Sequence, residues 1–581
     1  MLELSNIFEL FLKILPAQVF ISIASSLSNI VNGLVIGNNL SDSAMIAMGL
    51  VTPMLNLLTG IASIISSGGG IVVGNYMGKG DAKKVNEAYS ISVINIVITG
   101  IFLTVICYLG APLIAKLLNA DAYTLNDTIA YIRGVSIGII PMLLMPCLMT
   151  FLQMCNKSGV SLVDTIILAV FNAIFGLLNV HVFEGGIFGI GLATSISRYL
   201  VVAMIIMYFG NKKDLISFDP KAKNGKMMLE ILAYGSPASL AGILYSIRNV
   251  FINSYATQVG GNTAVNALAI LGACGGFFDA FNIGVGSTLT MLASVYVGER
   301  NPRSLRGIFK VSCIVGVAIA AFKLVIVYLF SDQIIALFGG QAEVLDSARD
   351  LLITYTWSAP FNMITLTLIG ISQCLGRVKM CNIMYLENCI ITPFICCAFL
   401  SKFIGISAIW SCYYLAELVS LFFFYVNASI KNKKPVTSID EILHLDKEFT
   451  GANKYIVSLR GIDDATNISK GIESFCKDQG IDSRRSMLAG LCMEELAVDI
   501  IEHAFDEDRK ENTIDVFTCV ENDEVLLRLR DNCVPFDMKG RAKIFNPDDP
   551  CENVGIRMVA NVAKEMNYTI NFGMNVNTIR L

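Results

Sequence analysis

The chain has 581 residues, of which 54% are hydrophobic and only 15% are charged. Its mean hydropathy is +0.63, and a soluble domain carries about 25% charged residues. This composition excludes a single soluble enzyme, a disordered protein and a disulfide-rich secreted scaffold. Most of the 16 cysteines lie within apolar runs, where cysteine behaves as a small buried hydrophobe.

The charges divide the chain into two parts. Residues 1–426 hold 23 Lys and Arg against 20 Asp and Glu, whereas residues 427–581 hold 20 against 27. The net charge is therefore +3 in the first part and −7 in the second, which is also far denser in charge. The sequence predicts a membrane-embedded part followed by an acidic soluble part.

The first part contains twelve apolar segments of the roughly 20 residues that a helix needs to cross a bilayer. They lie near 12–36, 45–73, 88–114, 128–154, 160–183, 187–209, 230–257, 263–293, 308–331, 349–374, 379–401 and 404–427. A lysine-rich connector at 211–229 separates the first six segments from the last six. We expect a helical membrane bundle of twelve spans.

The basic residues predict how this bundle is oriented. If the N-terminus is cytoplasmic, the inner connectors carry 18 Lys and Arg and the outer connectors carry four. Cytoplasmic loops are enriched in Lys and Arg, so we expect both termini to lie in the cytoplasm and the protein to reside in the plasma membrane.

The two halves of the bundle resemble each other at an offset of about 220 residues. Pro16 corresponds to Pro237, and the motif NYMGKGDAKKV from Asn75 matches VYVGERNPRSL from Val295. Six spans per half give both halves the same orientation. A duplicated bundle of this kind is typical of secondary transporters, which alternate access to a site between the halves.

Several motifs of residues 1–427 resemble the multidrug and toxic compound extrusion (MATE) family. They are the early Pro16, the run NGLVIGNNLSDSAMIAMGLVTP from Asn32, the cluster Gly68-Gly69-Gly70, GNYMGKGDAKKV from Gly74, and GLATSIS from Gly191. The resemblance implies an antiporter that exports organic, often cationic, compounds in exchange for Na⁺ or H⁺. It also implies a two-repeat bundle in the lipid bilayer.

Two positions depart from that family pattern. Asn32 stands where many members carry an aspartate in the first span, and the acid that would follow Asn172 in the fifth span is missing. An asparagine can offer a carbonyl oxygen to Na⁺ but cannot carry a proton. Both residues are candidates for the transport cavity or for hydrogen bonds between helices.

Ionisable residues within membrane spans are costly and mark candidate functional sites. Arg248 and Asp279 lie at similar depth in the seventh and eighth spans, so we expect them to face the central cavity or to form a structural ion pair. Others could lie near span ends: Asp164, Arg198, Lys323, Glu387 and Glu417.

The second part predicts a small α+β domain after a linker at 428–453. Alternating residues indicate strands at 454–461, 513–520 and 524–531, and amphipathic patterns indicate helices at 465–480 and 486–505. A further helix begins at Gly555 and a hairpin closes the chain. An antiparallel sheet backed by helices forms a two-layer sandwich.

The domain resembles the GHKL ATP-binding fold, especially serine-kinase anti-sigma factors. The motifs are MEELAVDIIEHA, RDNCVPFD and NVGIRMVANVAKE, in that order, followed by Thr578. The resemblance implies bound ATP and Mg²⁺, with Glu495 as the base, Asp499 in place of the Mg²⁺-binding Asn, and Asp531 recognising the adenine amino group. Gly555 would let the backbone approach the phosphates, and Thr578 would lie near adenine.

This second resemblance also has departures. Asp499 adds negative charge beside phosphate, Cys533 stands where the motif has a glycine, and Asn553 replaces the first glycine of the third motif. The domain could therefore bind nucleotide, act as a weak kinase, or only bind a protein such as an anti-anti-sigma-like partner.

We interpret the chain as an ion-driven exporter with a cytoplasmic regulatory domain, because no GxxxxGK[ST] motif occurs. The predicted parts are a first six-span repeat at 1–210, a basic connector at 211–229, a second six-span repeat at 230–427, a linker at 428–453 and an ATP-binding-like domain at 454–581. Nucleic acid is not an expected partner. Two alternatives stay open: a membrane-tethered anti-sigma-like kinase whose transporter part is a sensor, and a flippase for lipid-linked sugars of the same superfamily.

Overall fold

A computed structural model describes residues 2–211, 216–337, 344–445, 449, 453–459, 461–505, 512–521, 523–544 and 554–581. Within these ranges, only the backbone is described for residues 2–3, 24–31, 34, 38, 210, 211 and 521. The motif residue Asn553, and Lys212 and Lys213 of the connector, lie outside these ranges.

The first half of the membrane part is helical throughout its predicted segments. Its helices are Leu2–Asn39, Asp42–Gly78, Ala82–Leu109, Ala111–Leu117, Leu125–Ser136, Ile139–Met154, Ser158–Leu178 and Gly186–Asn211. Ser41 caps the second helix by accepting a hydrogen bond from the amide of Ala44, which supplies a partner for a free N–H at the helix start.

The second half repeats this arrangement. Its helices are Gly225–Gly298, Pro302–Leu337, Leu345–Trp357, Ala359–Cys374, Val378–Leu386, Thr392–Ile395, Ser401–Ile404 and Ile406–Asn432, with π-helical turns at Glu387–Ile391 and Cys396–Leu400. Helix Gly225–Gly298 contains a sharp break at Gly261, where φ is 59° and ψ is −152°. Such a backbone conformation suits glycine, which lacks a Cβ.

The number of spans is the one point at which this part differs from the prediction. Among the described residues, nine helices are long and apolar enough to cross a membrane, or ten if the bent pair Leu125–Ser136 and Ile139–Met154 is one span. The number is below twelve partly because Gly225–Gly298 is one helix of 74 residues across the break at Gly261.

The two halves touch backbone to backbone where their repeated motifs lie. A Cβ built on Gly78 would lie 2.1 Å from the carbonyl oxygen of Val295, and one built on Gly298 would lie 2.1 Å from that of Asn75. Neither glycine can therefore be replaced without moving a helix. The two repeated motifs therefore contact each other symmetrically: Gly78 lies against Val295 in the same way as Gly298 lies against Asn75.

The C-terminal part contains a five-stranded antiparallel sheet. Its strands are β1 (Lys454–Leu459), β2 (Ile514–Glu521), β3 (Glu524–Asp531), β4 (Glu565–Asn571) and β5 (Met574–Arg580), in the order β1-β2-β3-β5-β4. These strands and the closing hairpin agree with the predicted ones. We call residues 454–581 the tail domain.

One face of this sheet packs against helices. They are Ile462–Asp478, Ser483–Ala504, Met538–Arg541 and Val554–Val562. Apolar side chains such as Leu496, Ile500 and Leu527 are fully buried between the two layers, which provides the core that a two-layer domain requires. The cysteines that the structure describes are all free.

Candidate functional site

A large cavity lies between the two repeats. Its volume is about 730 Å³, which is within the range of pockets for drug-sized molecules. Helix Asp42–Gly78 contributes Gly70 and Ile71, and the second repeat contributes Arg248, Asp279 and others. The structure thus brings two predicted residues, Arg248 and Asp279, to one cavity.

Arg248 is held by aromatic rings. Its guanidinium carbon lies 4.7 Å from the ring centre of Tyr245 and 5.3 Å from that of Tyr413. Rings at this distance attract a cation through their electron-rich faces. No carboxylate of the described residues forms an ion pair with Arg248. Of the two alternatives, lining the cavity and pairing with Asp279, the structure therefore has the first.

Three further ionisable side chains complete the cavity wall. Asp279 accepts a hydrogen bond from the hydroxyl of Tyr355 at 2.5 Å, Glu417 accepts one from Asn362 at 2.9 Å, and the ammonium of Lys323 lies 6.0 Å from the ring of Tyr355.

The cavity tyrosines were missed by sequence reasoning. The available signal was helical spacing, because Tyr245 lies three residues before Arg248 and Tyr413 lies four before Glu417, distances that place side chains on one helix face. That spacing says which side chains share a face, but it does not say that the face lines a cavity.

Asn32 and Asn172 meet elsewhere, in the first repeat. Asn172 donates to Asn32 at 2.9 Å, Asn32 donates to Thr194 at 3.3 Å, and Thr194 donates to Asn172 at 2.9 Å. All three side chains are buried, and neither asparagine lines the central cavity. This closed ring is neutral, so its members cannot carry a proton.

In the tail domain, Asp531 is fully buried at the end of β3. One carboxylate oxygen accepts hydrogen bonds from the amide of Cys533 at 3.0 Å and from the side chain of Asn575 at 2.7 Å. The other oxygen is buried and has no partner among the described residues. Burial raises the pKa of Asp531 to about 6.

Glu495 and Gly555 also lie close together. A Cβ built on Gly555 would lie 2.2 Å from a carboxylate oxygen of Glu495, so the glycine makes room for that side chain. Asp499 lies one turn further along the same helix, and burial raises its pKa to about 6. Among the described residues no group of three or more His, Cys, Asp or Glu side chains is arranged to hold a metal ion.

Thr578 is not brought to Asp531. It lies opposite Arg528 in the pairing of β5 with β3, whereas Asp531 lies opposite Asn575. Side chains alternate between the two faces of a strand, so Thr578 and Asp531 point to opposite faces of the sheet. Its hydroxyl instead lies 3.3 Å from a Cβ built on Gly80, in the first repeat.

The open face of the sheet contacts both repeats. On the second repeat, Arg530 forms an ion pair with Glu299 at 3.3 Å, and Arg528 donates to the carbonyl of Glu299 at 3.1 Å. On the first repeat, the side chain of Asn567 donates to the carbonyl of Gly80 at 3.4 Å. The tail domain therefore bridges the repeated motifs of the two halves.

Comparison with known proteins identifies the membrane part. The MatE family model matches residues 17–178 and 237–396, and the two matched segments begin 220 residues apart. This agrees with the internal repeat found in the sequence.

Curated relatives and solved structures are similar over the same part. Multidrug export protein MepA of Staphylococcus saprophyticus is 26% identical over 67% of this chain and 87% of its own length. Probable multidrug resistance protein YoeA of Bacillus subtilis is 23% identical over 58% and 74%. The Vibrio cholerae MATE transporter VcmN in its bent form superimposes with a TM-score of 0.68 at 15% identity, covering 73% of this chain and 97% of that one.

Proposed function

Because the chain belongs to the MatE family, we propose that it exports small organic compounds from the cell by alternating access. The observation that carries this proposal is the cavity of about 730 Å³ between two repeats. Relatives named as multidrug export proteins support it. A site between duplicated halves is what rocking of one half against the other requires.

The proposal includes twelve spans and an ion gradient as the energy source. Helix Gly225–Gly298 provides two spans on either side of Gly261, and Leu345–Trp357 with Ala359–Cys374 provides a further bent one. Exchange for Na⁺ or H⁺, and cytoplasmic termini, stay predictions from the sequence.

We also propose that the tail domain regulates transport by restraining one end of the cavity. Gly70 and Ile71 line the cavity, Gly78 touches the other repeat, and Gly80 touches the tail. The contact between the repeats therefore lies between cavity and tail. Opening this end must separate the two motifs, and the tail contacts both of them.

Nucleotide binding by the tail domain stays a prediction. The arrangement supports it where the adenine would lie, but not where the phosphates would lie. The free buried oxygen of Asp531 suits an amino donor such as that of adenine. At the other end, the carboxylate of Glu495 lies against Gly555, where a phosphate would need to approach, and Asp499 adds a second acid. We derive no kinase step from this arrangement.

A transport assay tests the proposed export. The full-length protein in liposomes is given an imposed Na⁺ or H⁺ gradient and a panel of organic cations, anions and neutral compounds, with an ionophore as control. We expect gradient-dependent accumulation that survives deletion of residues 450–581 and is faster without them. Absence of gradient-driven transport for the whole panel would contradict the export proposal, and loss of transport on deletion would favour a signalling or coupled role.

A further inference from the structure

The charges that line the central cavity are not equally available to a ligand. Arg248 and Lys323 form no ion pair with a carboxylate of the described residues, and both pack against aromatic rings instead. A cation in a membrane interior is costly. Asp279 and Glu417 act on Lys323 and Arg248 through space only, so no protein carboxylate occupies the N–H groups of either cation by direct contact in the described structure.

The two carboxylates of the cavity are better satisfied. Asp279 accepts a hydrogen bond from Tyr355, and Glu417 accepts one from Asn362. The second oxygen of Glu417 is buried and has no partner among the described residues. Each carboxylate thus has a protein donor on one oxygen, whereas no hydrogen-bond acceptor of the described residues contacts either cation.

The surroundings of Arg248 fix the kind of anion that fits. Its Nε is buried without a hydrogen-bond partner in the described part of the chain, and the side chain lines the cavity between Tyr245 and Tyr413. A planar guanidinium matches a carboxylate through two parallel N–H···O bonds. The rings of Tyr245, Tyr355, Tyr385 and Tyr413 all border the same space and offer faces and edges to an aromatic body.

We propose that the cavity binds aromatic compounds that carry a carboxylate, with the carboxylate on Arg248 and Lys323 adding positive charge nearby. This inference rests on the proposed export function and names its substrate class. It differs from the organic cations that the family resemblance implies. The site belongs to the second repeat, whereas the neutral ring of Asn32, Asn172 and Thr194 belongs to the first.

Equilibrium binding of radiolabelled 2-naphthoate to the full-length protein tests the proposal. The neutral 2-naphthamide and the cationic 2-naphthylmethylammonium are competitors of nearly the same shape. Losing charge-assisted hydrogen bonds weakens binding by about tenfold or more, so we expect both competitors to be about tenfold weaker than unlabelled 2-naphthoate. Arg248→Met is expected to weaken 2-naphthoate to a similar extent, and Arg248→Lys to weaken it less.

Arg198→Met is the matched control, because Arg198 is also an arginine of a membrane helix but does not line the cavity. We expect it to bind 2-naphthoate like the unaltered protein. The proposal is overturned if 2-naphthoate does not bind, if the ammonium compound binds as tightly, or if Arg248→Met changes nothing. In those cases gradient-driven transport of other compounds would still support export, whereas its absence would remove the export proposal itself.

Discussion

At the scale of single residues, the tail domain holds two carboxyl groups that burial makes hard to ionise. The pKa of Asp531 is raised to about 6, and so is that of Asp499. In an unfolded chain an aspartate has a pKa of about 3.9. The folded tail therefore binds protons more tightly than the unfolded tail. The contribution of these two groups to the free energy of unfolding is therefore highest below about pH 4 and falls as the pH rises to about 6.

Replacing Asp531 by Asn removes its share of this pH dependence. A shift of two pKa units corresponds to about 2–3 kcal/mol of unfolding free energy. The stabilisation by Asp531→Asn is expected to be smaller, because the new side-chain NH₂ group has no hydrogen-bond acceptor among the described residues. Hydrogen exchange of tail peptides in the full-length protein, at pH 4.5 and 7.5 and corrected for intrinsic rates, measures the difference. Asp531→Asn should gain clearly more protection at pH 7.5 than at pH 4.5. Equal protection in both proteins at pH 7.5 would contradict the burial argument, and Asp478→Asn, on an exposed helix position, is the control.

At the scale of helices, the close approach of the two repeats depends on glycine. Gly78→Ala places a methyl group 2.1 Å from the carbonyl oxygen of Val295, so a helix must shift, at a cost of about 1–3 kcal/mol. We expect a lower melting temperature and faster opening of this end of the cavity. Gly49→Ala lies in the same helix, where a Cβ meets nothing within 4 Å. Thermal unfolding that is unchanged in both variants would show that the contact is not tight.

Most elements could be predicted from the sequence, because apolar length and period depend on neighbouring residues alone. The strands of the tail and the helix Ser483–Ala504 fall within a few residues of their predicted bounds. The interruptions of helical structure at Ser358 and Gly261 depend on packing, so they could not be predicted from hydropathy.

The candidate site was predictable only in part, for a related reason. Arg248 and Asp279 attract attention as charges in apolar segments, but that they line one cavity without pairing depends on where Tyr245, Tyr355 and Tyr413 are placed. The position of Thr578 depends on the pairing of β5 with β3, which a motif does not determine.

At the scale of the whole molecule, the contact between the two repeats and the contact of the tail domain with the membrane part involve the same motif. The repeats form one cavity and meet at their shared motif, and the tail domain contacts that motif in both halves. Arg530 pairs with Glu299 of the second repeat and also with Asp515 of the tail, so release of the tail removes this partner from the Glu299 carboxylate. In the proposed function, separation of the two motifs breaks the contacts of the tail with at least one repeat.

Distances between spin labels across the two repeats test alternating access most directly. One pair at Lys79 and Arg300 reports on the tail side, and another at Ser41 and Asn262 reports on the opposite side. The labels are attached through an unnatural amino acid because the chain has 16 cysteines. Under an ion gradient with transported compound, we predict that the first distance lengthens as the second shortens. Distances that both lengthen, or that stay fixed while transport proceeds, would contradict alternating access.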